Sequence, residues 1–446
     1  MTSMLATDDR LEETIIAAHA ALGNKLNGLP SPVRTLRGAG IDAFEKLGFP
    51  SVKSEKWKYT PVLKWLDQSV QIVVSETAES VTAESTDVPE WLMNSSDYLA
   101  VLVNGVLQLH LSRLPDAESG IIVSNLSDAI EKQAGAIEAH LGTYAHHEGD
   151  VFTALNTAFL KEGLFVLLPK GSELKKTLYI TDILRGDHST LRQPRNLIVV
   201  EEAASGSIVE WYPESETGPC TENSVTEIYV GPAARLNHCH VFDRGPRSLL
   251  INAFHVYQQK DSYIATNHIS LSGSLIRHNL SFLPDAEGCE THLNGLVIAY
   301  DDMHVDIHSL VDHARPNSFS NELYKCILDD DSVGVFNGKV LVRQDAQLTN
   351  AYQSNQAILL SARAHMYSKP ELEIYADDVK CSHGATTGQL DDEAIFYLRS
   401  RGLSEKDARL MLLEAFAAEV VQKIDIESVR DRLMLRLRFL LNRTAS

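Results

Sequence analysis

The sequence contains little cysteine and lacks the closely spaced cysteine pairs that many zinc and redox sites use. Its 446 residues include five cysteines, an odd number scattered widely along the chain: Cys220, Cys239, Cys289, Cys326 and Cys381. A disulfide framework normally needs an even and more compact set. The cysteine pattern therefore predicts reduced thiols.

Signatures of nucleotide binding and of common catalytic sites are also absent. The sequence has no GxxxxGK[ST] phosphate loop, no GxGxxG after a predicted strand, no GxSxG elbow and no HExxH. We therefore expect that this chain binds no nucleotide itself. Paired acids such as Asp301-Asp302 and Asp377-Asp378 are common in turns, so they are weak evidence for acid–base catalysis.

Positive charge and long apolar runs are scarce as well. There are 40 Lys and Arg residues against 60 Asp and Glu residues, which gives a formal net charge of -20. Nucleic acids and anionic membranes attract basic surfaces, so neither partner is expected. No apolar run approaches the roughly 18 residues that cross a bilayer. The first residues also lack a basic leader with an apolar core. These features predict a cytoplasmic protein.

What is present divides the chain into three predicted regions. Residues 1–163 are mostly helical in pattern, with a β-hairpin near 98–112 where Asn104-Gly105 separates two apolar, strand-like runs. Residues 164–390 consist of short strand-like runs separated by Gly, Asp, Asn, Ser or Pro. Residues 391–446 return to a helical pattern with apolar residues at three- and four-residue steps.

The strand-rich region carries a weak internal repeat. No helical pattern lies between its strands, so an alternating α/β fold is excluded. VVEEAASGSIVEW, IYVGPAARLNHCHVF and HVYQQKDSYIATNHI each place a small or polar turn after a strand, and they recur about every 30 residues. A repeat of this size is typical of a stacked solenoid such as a β-helix. A β-sandwich is the alternative, because it also uses short strands at regular spacing.

The most informative stretch is residues 369–403. An alternating run is followed by Cys381 and His383, two residues apart, so both side chains point to the same side of an extended segment. Gly384 and Gly388 are predicted to bracket a polar turn before a helix capped by Asp391. Thiolate and imidazole are ligands of iron–sulfur and zinc sites, but two ligands do not complete a tetrahedral site. An inert, packed cysteine is the alternative for Cys381.

Two other clusters are rich in histidine. His238 and His240 share a strand face. Farther along, one face of a predicted strand carries Asp302, His304, Asp306 and His308. Such clusters of imidazoles and carboxylates are suited to a divalent metal. The alternative, which we favour from the sequence, is the polar outer face of a half-buried strand with His–Asp pairs.

Two segments resemble a known family. KPELEIYADDVKCSHGAT followed by DDEAIFYLRSRGL resembles the signature of the SufB/SufD family of iron–sulfur cluster assembly proteins, in its SufD version. SEKWKYTP, at residues 54–61, resembles a motif near the N-terminus of SufD proteins. Read without the resemblance, this motif predicts a packing anchor through Trp57 and Tyr59. The resemblance covers most of the chain and implies a right-handed parallel β-helix core flanked by N-terminal and C-terminal α-helical regions.

The resemblance also implies a function. It implies a SufD-type, non-catalytic scaffold that pairs with a SufB-type paralogue, or with itself when isolated, and docks a SufC-type ATPase. A nascent iron–sulfur cluster is then expected at the subunit interface, with His383 as the candidate ligand and Cys381 beside it. The helices from Ser404 onward become the candidate ATPase dock. A truncation after Leu403 is expected to leave the β-helix folded.

Other interpretations remain open at this point. The last predicted helix is basic and amphipathic, and without the resemblance we expect it to fold onto its own domain. Lys380 and the neighbouring glycines leave open a lowered pKa for the Cys381 thiol. The resemblance assigns no role to His238, His240, His304 or His308. Rival functions are a stand-alone metal-binding β-helix protein and a β-helix carbohydrate-active enzyme that uses paired carboxylates.

Overall fold

The structure is a computed structural model that describes residues 2–22, 30–66, 83–185, 191–214 and 220–444. It is mainly a parallel β-helix of about seven turns with helical regions at both ends. From β7 onward the chain alternates between two sheets, and each strand pairs in parallel with the strand two positions along the sequence. The predicted β-helix is thereby confirmed, and the β-sandwich alternative is wrong.

The described helices are α1 (Thr2–Leu22), α2 (Ser31–Leu47), α3 (Glu90–Met93), α4 (Leu126–Lys132), α5 (Ala134–His140), α6 (Val151–Ala158), α7 (Asp392–Ser400), α8 (Glu405–Val421) and α9 (Glu427–Thr444). The early strands are β1 (Tyr98–Val103), β2 (Val106–Leu107), β3 (Ile122–Asn125), β4 (Leu164–Leu168), β5 (Leu178–Ile183), β6 (Leu191–Arg192), β7 (Arg195–Val200), β8 (Ser205–Tyr212), β9 (Thr221–Val230) and β10 (Arg235–Asp243). The later strands are β11 (Leu249–Gln258), β12 (Tyr263–Ser272), β13 (Leu275–Pro284), β14 (Glu290–Ala299), β15 (His304–His313), β16 (Phe319–Leu328), β17 (Val333–Val342), β18 (Asn350–Leu359), β19 (His365–Ile374) and β20 (Lys380–Gly388).

The two sheets of the solenoid contain alternate strands of the chain and extend into the N-terminal region. The first sheet runs in the order β2-β1-β5-β8-β10-β12-β14-β16-β18-β20, and the second in the order β19-β17-β15-β13-β11-β9-β7-β4-β3, with β6 paired to β9. β1 and β2 form an antiparallel hairpin around Asn104 and Gly105, both at positive φ, which suits this dipeptide. Because β1 pairs with β5 and β3 with β4, the sheets extend into the segment before residue 164.

The sequence repeat is visible as a register between successive turns of the solenoid. In the first sheet the paired positions run Arg235, Tyr263, Glu290, Phe319, Asn350 and Lys380. Each strand therefore presents the same alternate positions to the interior. Paired apolar residues such as Leu236 and Ile264 stack on one another, and with other interior residues such as Leu293 they form the long core between the sheets.

A recurrent backbone conformation stabilises one corner of the solenoid. Ala203, Ala233 and Asp261 lie at φ 55°, in the left-handed region that non-glycine residues seldom adopt. The amide of each donates a hydrogen bond to a carbonyl in the following turn, at N–O distances of 2.8 to 3.0 Å. Asn317 and Leu348 repeat the arrangement. Backbone hydrogen bonds between successive turns thus hold these non-glycine residues in the left-handed conformation, which such residues seldom adopt on their own.

The C-terminal helices pack onto the outer face of the first sheet. Leu413 and Val420 of α8 and Leu433 and Leu437 of α9 are fully buried in a core that includes Ile269 of β12. The prediction that the last helix folds onto its own domain is correct. A truncation after Leu403 would remove α8 and α9 and uncover this apolar face, so the expectation that the β-helix stays folded without them is not supported by the packing.

Arginines of α9 are already engaged by the same chain. Arg436 makes a two-point ion pair with Asp243, at 2.7 and 2.8 Å. Arg443 pairs with Asp301 at 2.7 Å, and Arg438 pairs with Glu414 at 2.7 Å. The guanidinium of Arg432 lies 5.6 Å from the ring centre of Trp91. The basic face of this helix therefore contributes to internal packing, and few of its charges are left for a partner.

The SEKWKYTP motif anchors the N-terminal region to the outer face of the second sheet. Trp57 is buried, and the Arg277 guanidinium stacks 3.7 Å from its ring centre. The Thr60 hydroxyl donates to Asp306 at 2.5 Å. Tyr59 stacks on Tyr367 at 4.3 Å and stays partly exposed. The motif is a packing anchor, although its polar contacts are as important as the tryptophan.

One predicted turn is instead part of a strand. Gly384 and Gly388 lie in β20, where they pair with Ser354 and Ile358 of β18. The Gly, Ser and Thr content of this segment favours a turn. The ladder of hydrogen bonds offered by β18 outweighs that local preference, because β18 would otherwise be the open edge. Within the described residues, no helix is long and apolar enough to cross a membrane.

The glycine at position 295 generates a prediction about packing. The ring of Tyr324 fills the space beside Gly295, and a Cβ there would lie 1.9 Å from the ring. Gly295→Ala is expected to lower the free energy of unfolding by about 1–3 kcal/mol through overpacking. Gly384→Ala is the matched control, since that strand glycine has open space around it. Chemical denaturation of both variants is the measurement, and equal stabilities would contradict this account.

Candidate functional site

Cys381 and His383 lie on β20, at the end of the first sheet. Cys381 pairs with Ala351 and His383 with Gln353, both on β18. Ala351 and Gln353 are buried residues of the solenoid interior. The two candidate ligands therefore share the interior-directed side of β20, as their spacing predicts. No described turn covers them, so this side is open.

The Cys381 thiol is half-buried against the last part of the core. It packs with Leu372 and Val379 against a small apolar cluster made of Val340, Val342, Ala346, Ala351 and Ala376. Burial raises the pKa of the Cys381 thiol, and a backbone hydrogen bond from Ala351 offsets only part of that increase. The positive charge of the neighbouring Lys380 does not bring the pKa of Cys381 below its ordinary value. Cys381 is therefore a protonated, weakly nucleophilic thiol near neutral pH in this state.

His383 is exposed, and it is two residues from the thiol on the same side of the strand. Within the described part of the chain, no group of three or more His, Cys, Asp or Glu residues is placed to hold a metal ion. The pair therefore provides two candidate ligands and not a complete site. Any metal or cluster held here needs ligands from outside the described residues.

Comparison with known proteins identifies the family. The model of the SufBD core domain of the SUF system for FeS cluster assembly matches residues 183–416. The model of the SufBD protein N-terminal region matches residues 26–180. The chain belongs to the SufBD family. The family resemblance drawn from the sequence is thereby confirmed.

Relatives in the SufBD family extend over nearly the whole chain. An iron–sulfur cluster assembly SufBD family protein of Synechocystis is 35% identical over 89% of this chain and 88% of its own length. The iron–sulfur cluster assembly protein SufD of Escherichia coli is 27% identical over 88% of this chain and 89% of its own length. Protein ABCI7, a chloroplastic protein of Arabidopsis thaliana, is 28% identical over 92% of this chain and 87% of its own length.

The first histidine cluster of this SufBD protein lies inside the solenoid. His238 Nε2 is 2.9 Å from Glu210 Oε1, and its Nδ1 is 3.2 Å from the Thr266 hydroxyl. His240 is also buried, and burial lowers its pKa to about 4. Cys239 points the opposite way, into the core under the C-terminal helices. These histidines belong to a buried polar network inside the solenoid. The favoured interpretation, an outer strand face with His–Asp pairs, is therefore wrong for this cluster, because the strand register turns His238 and His240 inward.

The second cluster holds the N-terminal motif in place. His304 Nε2 is 2.9 Å from the Thr60 hydroxyl, and His308 Nε2 is 3.0 Å from Asp306 Oδ1. Burial by itself raises the pKa of Asp306. The Arg277 guanidinium, with His308 and Thr60, more than offsets this and leaves the pKa well below the usual range. The prediction of a polar strand face with His–Asp pairs is correct for this cluster.

Sequence reasoning missed the residues that lie directly behind His383. Gln353 is its register partner, and Gln353 Nε2 donates to Glu322 Oε2 at 2.7 Å. These residues are 30 and 61 positions earlier in the chain. The weak repeat of about 30 residues was the available signal, but without the strand register it does not show which positions align.

The environment of Cys381 predicts its reactivity. Because burial raises its pKa, alkylation of Cys381 at neutral pH is expected to be several-fold slower than that of an unperturbed thiol, and to accelerate only at pH values above the ordinary pKa of a thiol. Mass spectrometry after iodoacetamide treatment at a series of pH values measures this rate. The other four cysteines are buried and serve as internal controls that react more slowly. Rapid labelling of Cys381 at pH values below its ordinary pKa would contradict the prediction.

Proposed function

We propose that this SufBD family member is a SufD-type, non-catalytic scaffold subunit. In this proposal it pairs with a SufB-type paralogue, docks a SufC-type ATPase and helps to assemble an iron–sulfur cluster. The observation that carries the proposal is the two-ligand pair, His383 and Cys381, on the open side of the last strand. The 27% identity to the E. coli SufD protein over most of both chains supports the SufD assignment.

The end of the solenoid has the properties of a pairing surface. β19 and β20 are the last strands of their sheets, and within the described residues each has a strand partner on one side only. Tyr367, Ile374 and Tyr375 are large apolar side chains exposed at this end. Open sheet edges with exposed apolar groups favour pairing with another β-sheet. The proposed occupant is a SufB-type paralogue, and a second copy of this chain is the alternative for the isolated protein.

The incomplete ligand set fits this surface. In the proposal, His383 and Cys381 supply part of the coordination of a nascent cluster, and the partner supplies the remainder. The cluster is cargo that the complex builds and releases. Because metal binds the thiolate, coordination by Cys381 releases a proton, and its raised pKa makes that step dependent on pH.

The C-terminal helices offer a separate surface for the ATPase. α8 and α9 bury their apolar sides on the first sheet, so their role in docking is limited to what remains exposed. On α7 the side chains of Phe396 and Tyr397 are 74% and 57% exposed. We propose that these two aromatic residues, with exposed parts of α8, contact the SufC-type ATPase. That this chain itself binds no nucleotide is part of the same proposal.

Two further parts of the function remain predictions. A cytoplasmic location rests on the sequence, and the Arabidopsis relative is a chloroplastic protein. The absence of enzymatic activity rests on the missing catalytic motifs. The rival functions have less support, because the histidine clusters make internal contacts and leave no described three-residue metal site.

The ligand assignment is tested in the reconstituted complex. The chain is coexpressed with SufB-type and SufC-type partners, and cluster formation is followed by absorbance under anaerobic conditions. His383→Ala is expected to reduce cluster yield by about tenfold, and Cys381→Ser by less, since loss of one ligand weakens a shared site. Complex formation, measured by gel filtration, is expected to be unchanged. Normal cluster yield in both variants would remove the ligand assignment but not the scaffold role.

The two docking surfaces predict separable defects. Ile374→Lys places a charge at the sheet edge and is expected to weaken pairing with the SufB-type subunit by about tenfold while ATPase binding persists. Phe396→Glu on α7 is expected to weaken binding of the ATPase by about tenfold while pairing with the SufB-type subunit persists. Each variant is the matched control for the other, since both replace an exposed apolar side chain with a charged one. Calorimetric titration measures both affinities. Unchanged binding in either variant contradicts the surface that it tests.

A further inference from the structure

The interior of the last turns contains a cluster of polar side chains, separate from the histidine network of the earlier turns. Glu322 and Tyr324 lie on β16, and Gln353 and Asn355 lie on β18. All four are buried and alternate with outward-facing residues, and β16 and β18 pair Glu322 with Gln353 and Tyr324 with Asn355. Ser368, on β19 of the opposite sheet, is half-buried and pairs with Phe336 of the core.

Several atoms of this cluster have no hydrogen-bond partner among the described residues. They are Glu322 Oε1, Gln353 Oε1, the Tyr324 hydroxyl, both polar atoms of the Asn355 amide and the Ser368 hydroxyl. Buried polar atoms are almost always paired with protein or with ordered water. Such a concentration of donors and acceptors within two adjacent strand pairs is suited to water, which can both donate to and accept from them.

Glycines on neighbouring strands make room for this cluster. A Cβ on Gly338 would lie 2.4 Å from Gln353 Nε2, so the amide of Gln353 extends across the interior to the opposite sheet. A Cβ on Gly295 would strike the Tyr324 ring. The polar side chains therefore occupy space that both sheets leave open.

The cluster leads to the open end of the solenoid. Glu322, Gln353 and His383 occupy the same register position on β16, β18 and β20. The Gln353 amide donates to Glu322 Oε2 at 2.7 Å and leaves Oε1 of the carboxyl free for another contact. Among the described residues, β20 is the last strand beyond Gln353 in this sheet, and its interior-directed side is exposed at His383. The buried carboxyl, the Gln353 amide and the candidate ligand His383 thus follow one another on adjacent strands.

We propose that Glu322, Tyr324, Gln353 and Asn355 form an internal water-binding site through which Glu322 exchanges a proton with the open end of the solenoid beside His383. The proton leaves the Glu322 carboxylic acid for a bound water, and the resulting carboxylate stays hydrogen-bonded to the Gln353 amide. Reprotonation follows the same path in reverse. The use of this proton in cluster assembly rests on the proposed function, whereas the water site and its exchange do not.

The electrostatics of Glu322 support an exchangeable proton. Burial raises its pKa to about 7, and the hydrogen bond from the Gln353 amide, together with the nearby Ser309 hydroxyl, offsets part of the increase. No cation contributes to this shift. The titratable groups that face this interior include Tyr324 and Cys326, whose own pKa values are raised by burial, and His313, which is bonded to Ser320 at 2.9 Å. Both protonation states of Glu322 are therefore populated near neutral pH.

The buried carboxyl is tested on the full metal-free chain by infrared difference spectroscopy across about pH 5 to 9, a range that spans the raised pKa. One protonated carboxyl band is expected to disappear with a midpoint near the raised pKa of about 7. Glu322→Gln should abolish it. Glu118→Gln, at an exposed position, is the control and should leave it unchanged. A band that survives in Glu322→Gln, or no band in the wild type, would overturn the proposal.

The exchange path is tested by transfer from H2O to D2O. The carboxyl band shifts when its proton is replaced by deuterium, and stopped-flow infrared measurement gives the rate. Gln353→Met keeps the side-chain length but removes the amide, and is expected to slow exchange by about tenfold. Tyr352→Phe, which alters an exposed residue on the same strand, is the control for effects on folding. Equal rates in wild type and Gln353→Met would overturn the path.

The link to function is tested in the reconstituted complex. Glu322→Gln is expected to flatten the pH profile of cluster formation between about pH 6 and 8 and to reduce its rate severalfold, whereas Glu118→Gln does neither. An unchanged profile would overturn the functional step. If His383→Ala assembled clusters normally, the ligand assignment would fail while the infrared results stood, so the two failures are distinguishable.

Discussion

The in-register pairing of parallel strands between successive turns is the constraint on which the rest of this structure depends. Each turn of the solenoid places the same alternate positions inside, so a residue's surroundings are set by residues about 30 positions away. This register stacks apolar pairs such as Leu236 and Ile264 into the long core. It also aligns Glu322, Gln353 and His383 on neighbouring strands. Stability and the candidate site therefore have the same structural origin.

A solenoid must also cover its outer faces and its ends. Here α8 and α9 cover the first sheet, and the Trp57 motif covers part of the second. The last turn is different, because β19 and β20 end the sheets with exposed aromatic and aliphatic groups. The incomplete ligand pair lies at this uncovered end. In the proposed function, the surface that pairs with a SufB-type subunit is thus also the end of the solenoid that carries the two candidate ligands.

Buried polar groups have two distinct uses in this protein. Asp306 is surrounded by Arg277, Thr60 and His308, which satisfy its charge and attach the N-terminal region to the β-helix. Glu322 has amide and hydroxyl neighbours and no cation, so its charged form is less stable and its pKa rises. Asp306, whose charge is balanced by neighbouring cations, serves as a rigid anchor. Glu322, whose charge is not balanced, is a group that titrates near neutral pH.

Local signals in the sequence determined much of the secondary structure. They also determined that Cys381 and His383 lie on the same side of one strand. The Asp391 cap forms as predicted, because it depends on residues within one helical turn. Only the tertiary structure decided that Gly384 belongs to a strand, that the α9 arginines bind their own chain, and that Gln353 and Glu322 lie behind His383. These outcomes depend on hydrogen bonds and charges between segments far apart in sequence, and the register that brings them together exists only in the folded solenoid.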